Sequence, residues 1–154
     1  MLPRDYATQN CSIARVLEIV GDRWTVLVVR SALAGATRFD DFRRRLEIAD
    51  NVLADRLFRL TEEGLLERRQ YQDRPVRHEY LVTEKGRELW PTLVAMVEWG
   101  DRYYAPDGPP RILYHAECGG QVLQHLTCAE CDASVRPAEI ATRPGPGAGQ
   151  RPPR

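Results

Sequence analysis

Lysine is nearly absent: Lys85 is the single lysine among 22 basic residues, and the 154-residue chain carries no net formal charge. No strong overall field therefore steers the molecule toward a polyanion, and nucleic-acid affinity would have to come from a local basic face. Such a face would be built of arginine, whose planar guanidinium suits bidentate contacts to phosphate and to guanine edges. Histidine is also scarce, with three in the chain. No Ser/His/Asp set, phosphate-cradling glycine loop or suitably paired carboxylates accompany them, so no enzyme is expected. Long apolar runs are missing as well. Nothing approaches the ~20 apolar residues of a membrane span, and no apolar leader follows Met1. The expectation is a cytoplasmic protein off the membrane, with its four cysteines reduced.

What is present is enough apolar residue, 43%, for one ordinary core plus an appendage. Ile13, Val16, Leu17 and Val20 follow helical spacing after Ser12, a good N-cap, and Gly21 ends that helix. Asp22 then caps a more apolar helix, Trp24 to Leu33, expected to be central and buried. Asp40 and Asp41 open a third helix to Leu46, and a fourth runs from Asp50 to Glu63 with Val52, Leu53, Leu57 and Leu60 inward and Gly64 after its end. Residues 65–71 and 77–82 flank the turn-rich Gln72-Asp73-Arg74-Pro75 and predict an antiparallel hairpin. A long helix is expected from Thr83 to Tyr104, with Pro91 either bending it or sitting where a neighbouring helix crosses.

Four helices, the last two in helix-turn-helix order, then a hairpin and a long helix, give an α+β fold, mainly helical with a small β wing: a winged helix-turn-helix. The recognition helix would be the fourth. Its outward residues are Asp50, Asn51, Ala54, Asp55 and Arg59. Asn51 is the best candidate for a base contact, because a carboxamide pairs with adenine bidentately, whereas a carboxylate can only accept from cytosine. Arg38, Arg43 and Arg44 before and on the supporting helix, with Arg69, Arg74 and Arg77 on the wing, are the candidate phosphate contacts. The run Arg43-Arg44-Arg45 could instead pair with Asp40, Asp41 or Glu47, and at least one of the three is expected to do so.

Several blocks carry a family likeness in order and spacing: Cys11, Gly21-Asp22-Arg23-Trp24-Thr25, Arg38-Phe39-Asp40-Asp41-Phe42, Leu53-Ala54-Asp55-Arg56-Leu57, Glu63-Gly64-Leu65-Leu66-Glu67-Arg68, Glu79-Tyr80-Leu81-Val82-Thr83-Glu84-Lys85-Gly86 and Trp99-Gly100. Together, over residues 11–102, they resemble the HxlR-type transcriptional regulators, relatives of the MarR group. The resemblance implies a homodimer that binds a palindromic operator in double-stranded DNA and answers to a small molecule or a reactive species. It also implies that the first and last helices pair across the two-fold axis, which would give a use to the apolar Trp90, Val94, Val97, Trp99, Tyr103 and Tyr104. The alternative is that the C-terminal unit folds back over them. Two departures stand out: Ala49-Asp50 replaces a serine that often begins the recognition helix, and His78 precedes Glu79 with only one proline upstream.

The linker 105–110 is followed by an internally repeated pattern, His115-Ala-Glu-Cys118 and Cys128-Ala-Glu-Cys131. Two ligand-x-x-ligand turns closing on one ion make a Cys₃His zinc ribbon, with the zinc structural because every position is filled by protein. His125 is the rival fourth ligand, and a disulfide or redox Cys-x-x-Cys is the alternative chemistry. Cys11 stands apart at a helix start, where exposed amides lower a thiol's pKa; it is either a redox sensor or a small apolar residue at the dimer seam. The expected organisation is a winged domain over 1–105, a zinc-ribbon-like unit over 106–140 and a disordered Pro/Gly-rich tail over 141–154. A different function, a zinc-ribbon adaptor that binds protein and not a DNA sequence, remains the competing expectation.

Overall fold

The computed structural model describes residues 6–149, which fall into two compact units dividing between Gly86 and Arg87. The first contains α1 (Ser12–Val20), α2 (Thr25–Leu33), α3 (Phe39–Leu46), α4 (Asp50–Glu62) and the hairpin β1 (Leu66–Asp73) with β2 (Val76–Val82). Its core is the buried Val28, Val29, Phe42, Leu53, Leu57, Leu60, Leu65 and Leu66. α2 is the central element, touching α1, α3, α4 and β2, as its almost unbroken apolar composition requires.

Several boundaries differ for local reasons. Cys11, and not Ser12, is the extended N-cap residue of α1 (φ −145°, ψ 129°). Asp22 does its capping from three residues before Thr25: its carboxylate accepts the Trp24 and Thr25 amides at 3.0 and 3.1 Å. The hairpin strands run further than the turn-forming residues suggested, with Asp73 paired to Val76, so that the turn narrows to Arg74-Pro75. The wing is broadened by a bridge between Arg38 and Glu79 and by the Tyr80 amide donating to the Thr37 carbonyl at 2.7 Å.

The long helix expected over 83–104 is two helices, α5 (Glu84–Arg87) and α6 (Trp90–Tyr104). Pro91 sits in the first turn of α6, where its missing N–H costs nothing; inside a continuous helix its ring would clash with the carbonyl four residues back. Gly86 makes the preceding turn possible, because a Cβ there would lie 2.4 Å from the Leu65 carbonyl oxygen.

The second unit groups α6 with the cysteine-bearing segment, so the division falls earlier than position 105. β3 (Arg111–His115) pairs antiparallel with β6 (Ile140–Pro144), and the two-residue strands β4 (Val122–Leu123) and β5 (Thr127–Cys128) pair beside them. The expected disordered tail over 141–154 is corrected at its start: residues 141–144 complete β6, because Arg111–His115 would otherwise leave its outer backbone groups unpaired. Beyond it, Gly145 and Gly147 lie so close to the backbone of Pro109 and Gly108 that a Cβ would meet carbonyl oxygens at 2.1 and 2.2 Å. Residues 150–154, the end of the expected tail, lie outside the described residues. One stripe of α6, Val94, Val97, Glu98 and Asp101, lines a cleft with Arg111, Leu113, Gln121 and Val122. A second stripe, Met96, Trp99 and Tyr103, is exposed.

Candidate DNA-reading face and metal centre

α4 buries Leu53, Leu57 and Leu60 and turns Asp50, Asn51, Ala54, Asp55 and Phe58 outward. Its charged residues are largely spoken for. Asp50 lies 3.5 Å from Arg43, which also pairs with Asp40 at 3.2 Å. Asp55 pairs with Arg56. Arg59 turns back to the Glu18 carbonyl at 3.2 Å and to Asp22 at 3.7 Å. Asn51 and Ala54 have no side-chain partner among the described residues, which leaves a carboxamide and a methyl group free on the outer face.

Asp22 is the anchor that the sequence reading saw only as a cap. Besides the two amides it accepts the Thr25 hydroxyl and the Arg56 Nε, the latter at 2.8 Å. Burial by itself pushes this carboxyl up, but the Thr25 hydroxyl, the Trp24 and Thr25 amides and Arg56 together hold it below the usual carboxylate range. Two arginines of α4 are thereby fixed to the start of α2. The thirty-four residues separating Asp22 from Arg56 hide this from any local pattern.

Of the supporting residues, Arg44 pairs with Asp41, so two of the three consecutive arginines are occupied by the i,i+3 acids of their own helix. Arg45 donates to the Ala34 carbonyl at 3.0 Å. Arg38 lies over the Tyr71 ring at 4.6 Å, a cation–π contact that fixes its guanidinium at the base of the wing. On the wing, Arg69 directs two N–H groups to Glu79 Oε1 at 2.9 and 2.7 Å, and Arg68 donates to His78 Nδ1 at 3.0 Å. Arg74 and Arg77 are exposed, and neither guanidinium has a partner among the described residues. Phe58, 62% exposed on α4, and Tyr71 were not singled out from sequence. Phe58 could have been, since it continues the spacing of Asn51, Ala54 and Asp55.

In the second unit, His115, Cys118, Cys128 and Cys131 bring their ligand atoms within 4.8 Å of one another. Cys118 Sγ is 3.4 Å from Cys128 Sγ and 3.7 Å from Cys131 Sγ, and His115 Nδ1 is 3.4 Å from both Cys118 and Cys131. A tetrahedral zinc with bonds of about 2.3 Å to sulfur and about 2.05 Å to nitrogen has S···S edges of about 3.75 Å and S···N edges of about 3.5 Å. The four edges given above lie within about 0.4 Å of those lengths, and at these separations no disulfide joins the sulfurs. His125, the rival ligand, is exposed at a positive φ of 66° in the 3₁₀ turn Gln124–Leu126 and is outside the cluster.

The backbone around the cluster is shaped to it. A Cβ on Gly120 would lie 2.5 Å from Cys128 Sγ and 2.6 Å from Glu130 Cβ, so glycine is obligatory in the first knuckle. The Cys131 and Glu130 amides draw the Cys128 pKa down to about 6. The Gly120 amide also lowers that of Cys118, but the neighbouring Cys128 thiol, burial and Cys131 outweigh it and push the value up to about 11. The imidazole of His115 is buried, and its Nε2 lies 3.6 Å from the exposed Glu117 carboxylate. At the far end of the chain, the Ala14 and Ile13 amides lower the pKa of exposed Cys11.

A helix-turn-helix with an outward polar strip on its second helix, backed by an arginine-bearing hairpin, defines a winged-helix DNA-binding protein. The family model described as HxlR-like helix-turn-helix matches residues 19–108. The chain belongs to this HxlR family of MarR-like winged-helix proteins and is a transcriptional regulator. The Mycobacterium tuberculosis HTH-type transcriptional regulator Rv3095 is 42% identical over 137 residues, covering 88% of this chain and 87% of that one. The solved structure of PA1607, a candidate transcription factor, has a TM-score of 0.70 at 37% identity and covers 84% of this chain and 91% of its own. Both matches are too long to be supplied by residues 1–105 alone. The reduced form of the Bacillus subtilis transcriptional regulator YodB gives a TM-score of 0.53 at 28% identity over 62% of this chain and 95% of its own. No helix among the described residues is long and apolar enough to cross a membrane.

Proposed function

We propose that the chain binds a palindromic operator as a homodimer, with α4 in the major groove and the β1–β2 wing on the flanking backbone. The observation that carries this is the free Asn51 carboxamide on an α4 whose arginines are tied back to Asp22. Sequence is then read by Asn51, with Ala54 against a thymine methyl, and charge is supplied by Arg38, Arg74 and Arg77. Asp50, Asp55, Arg43, Arg44, Arg59 and Arg69, engaged in pairs within the protein, shape the face and contribute less to DNA. Dimerisation uses the exposed Ile13, Val16 and Leu17 of α1 and the Met96, Trp99 and Tyr103 stripe of α6, and the regulator acts in the cytoplasm without catalysis of its own.

Selection of bound fragments from genomic DNA, with and without chelator, tests the whole reading. The expected result is one inverted repeat with half-sites about one helical turn, ~34–36 Å, apart; recovery of no enriched sequence would favour the protein-binding adaptor. Asn51→Ala is expected to cost about 1–3 kcal/mol against sites with adenine at the contacted position and to leave non-specific binding unchanged. Arg74→Ala is expected to weaken all DNA alike and to lower the slope of log affinity against log salt by about 0.9 per protomer. An unchanged slope would remove the wing from the backbone.

The metal is a structural zinc held by His115, Cys118, Cys128 and Cys131. When bound it supplies a four-way cross-link and no open coordination position; the chain's own residues direct amides at the sulfurs. The effector is a small molecule or an oxidant, and YodB, known in reduced and diamide-treated forms, motivates the second. Cys11 is its receptor, since the amides beside it favour the reactive thiolate. Peptide mass mapping after mild quinone or peroxide treatment is expected to show Cys11 modified in step with lost operator binding, and an unmodified Cys11 would sink the assignment.

A further inference from the structure

The metal centre has two unlike sides. Cys128 and His115 are buried, whereas Cys118 and Cys131 are exposed, so solvent meets a pair of sulfurs and the protein interior meets a sulfur and an imidazole. The exposed pair is 3.7 Å apart, a separation that modest side-chain rotation closes to a bond of about 2.05 Å. A metal-bound cysteine is held as its thiolate, the form that attacks oxidants. Each knuckle carries a glutamate before its second ligand, Glu117 and Glu130, and Asp132 follows; all three are exposed. This acidic rim repels anionic oxidants and leaves neutral peroxides unhindered.

We propose that the metal centre is an oxidant-labile site, at which hydrogen peroxide or another neutral peroxide joins Cys118 to Cys131 and releases the zinc. The proposal rests on the zinc assignment above. Cys118 sulfur attacks one peroxide oxygen, the O–O bond breaks, and the departing hydroxide, like the one released in the next step, is protonated by the buffer. Cys131 sulfur then displaces hydroxide from the Cys118 sulfenic acid, forming the S–S bond. Two thiolates, one peroxide and two protons become one disulfide and two waters; the sulfurs lose two electrons and the peroxide gains them. The ion, left with His115 and Cys128 as its only protein ligands, leaves as hydrated Zn²⁺. Cys128, fully buried and holding the Glu130 and Cys131 amides, is spared. The chain thus carries an oxidisable thiol pair that operates without Cys11.

The test uses full-length protein loaded with zinc under reductant, then freed of it, with native mass spectrometry to count the metal first. A chain that binds no zinc at this stage overturns the metal assignment itself. Hydrogen peroxide is then added in the presence of a chromogenic zinc chelator too weak to strip the site. One zinc per chain is expected to appear in parallel with a Cys118–Cys131 disulfide in peptide maps, at the same rate in Cys11→Ser. Zinc retained while Cys11 oxidises in the unsubstituted protein, or release accompanied by a disulfide to Cys128, would overturn the proposal.

Discussion

Stripping the metal with a strong chelator is expected to unfold residues 111–144 while α1 to α4 stay folded. The apolar residues that segment buries are few, Leu113, Val122, Cys128 and Val135, and two of its four strands are short: β4 and β5 have two residues each. Such a core does not offset the ordering entropy of some thirty residues at about 1.5 kcal/mol each. A structural zinc contributes on the order of 10–16 kcal/mol, the largest single term in this half of the molecule. Amide hydrogen exchange reads the outcome by segment. Protection should vanish from 111–144 and persist in α2 and α4, whose core of Val28, Phe42, Leu53 and Leu57 has no ligand in it. Gly120→Ala should reproduce the effect without chelator, because its methyl would overlap Cys128 Sγ. Full protection of β3 and β6 in metal-free protein would show that the ribbon folds on packing alone.

The consequence reaches α6. The 3₁₀ turn Gln124–Leu126 packs on that helix, and the Gln124 amide donates to Glu98 Oε1 at 2.6 Å. When the ribbon melts, the Val94, Val97, Glu98 and Asp101 stripe loses its cover, and the same helix carries the exposed Met96, Trp99 and Tyr103. The proposed metal site and the proposed dimer face therefore meet on one helix, and the chelated protein is expected to dimerise more weakly.

The elements and the cluster were legible because both are written locally. Apolar residues three and four apart place α1 to α4, and two repeats of Ala-Glu-Cys behind a ligand point to the donor set locally, with His125 as the rival that only the fold sets outside the cluster. What escaped were consequences of distance. Residues 141–144 look like a tail until their partner β3, thirty residues earlier in the chain, is in place. The break between Arg87 and Trp90 is hidden in the sequence because helical periodicity continues across it. The DNA face was half legible: the outward positions of α4 were right, but Arg59 and Arg69 proved to be committed to Asp22 and Glu79, and only three-dimensional neighbours decide which arginine is free.

Asp22→Ala is expected to destabilise the protein by about 2–4 kcal/mol and to blunt operator specificity although Asp22 touches no DNA. The carboxylate accepts two amides and a hydroxyl at the start of α2 and reaches two guanidinium groups of α4. Loss of a capping acceptor costs about 1 kcal/mol, and a charge-assisted hydrogen bond contributes about 1.5–3 kcal/mol. Arg56 and Arg59, once released, are free to meet phosphate. Non-specific affinity should rise and specific affinity fall, so the ratio of the two narrows while each alone changes less. The pH dependence carries its own signature. A carboxyl whose pKa is depressed by folding stabilises fully above its unfolded value, about 3.9, and loses that contribution as pH falls through the folded one. Urea midpoints of the two proteins should therefore lie furthest apart near neutrality and converge below about pH 4. Acid loss of the metal is common to both and cancels from the comparison. A gap that stays constant with pH would mean that Asp22 acts by shape alone and that its charge does not hold α4.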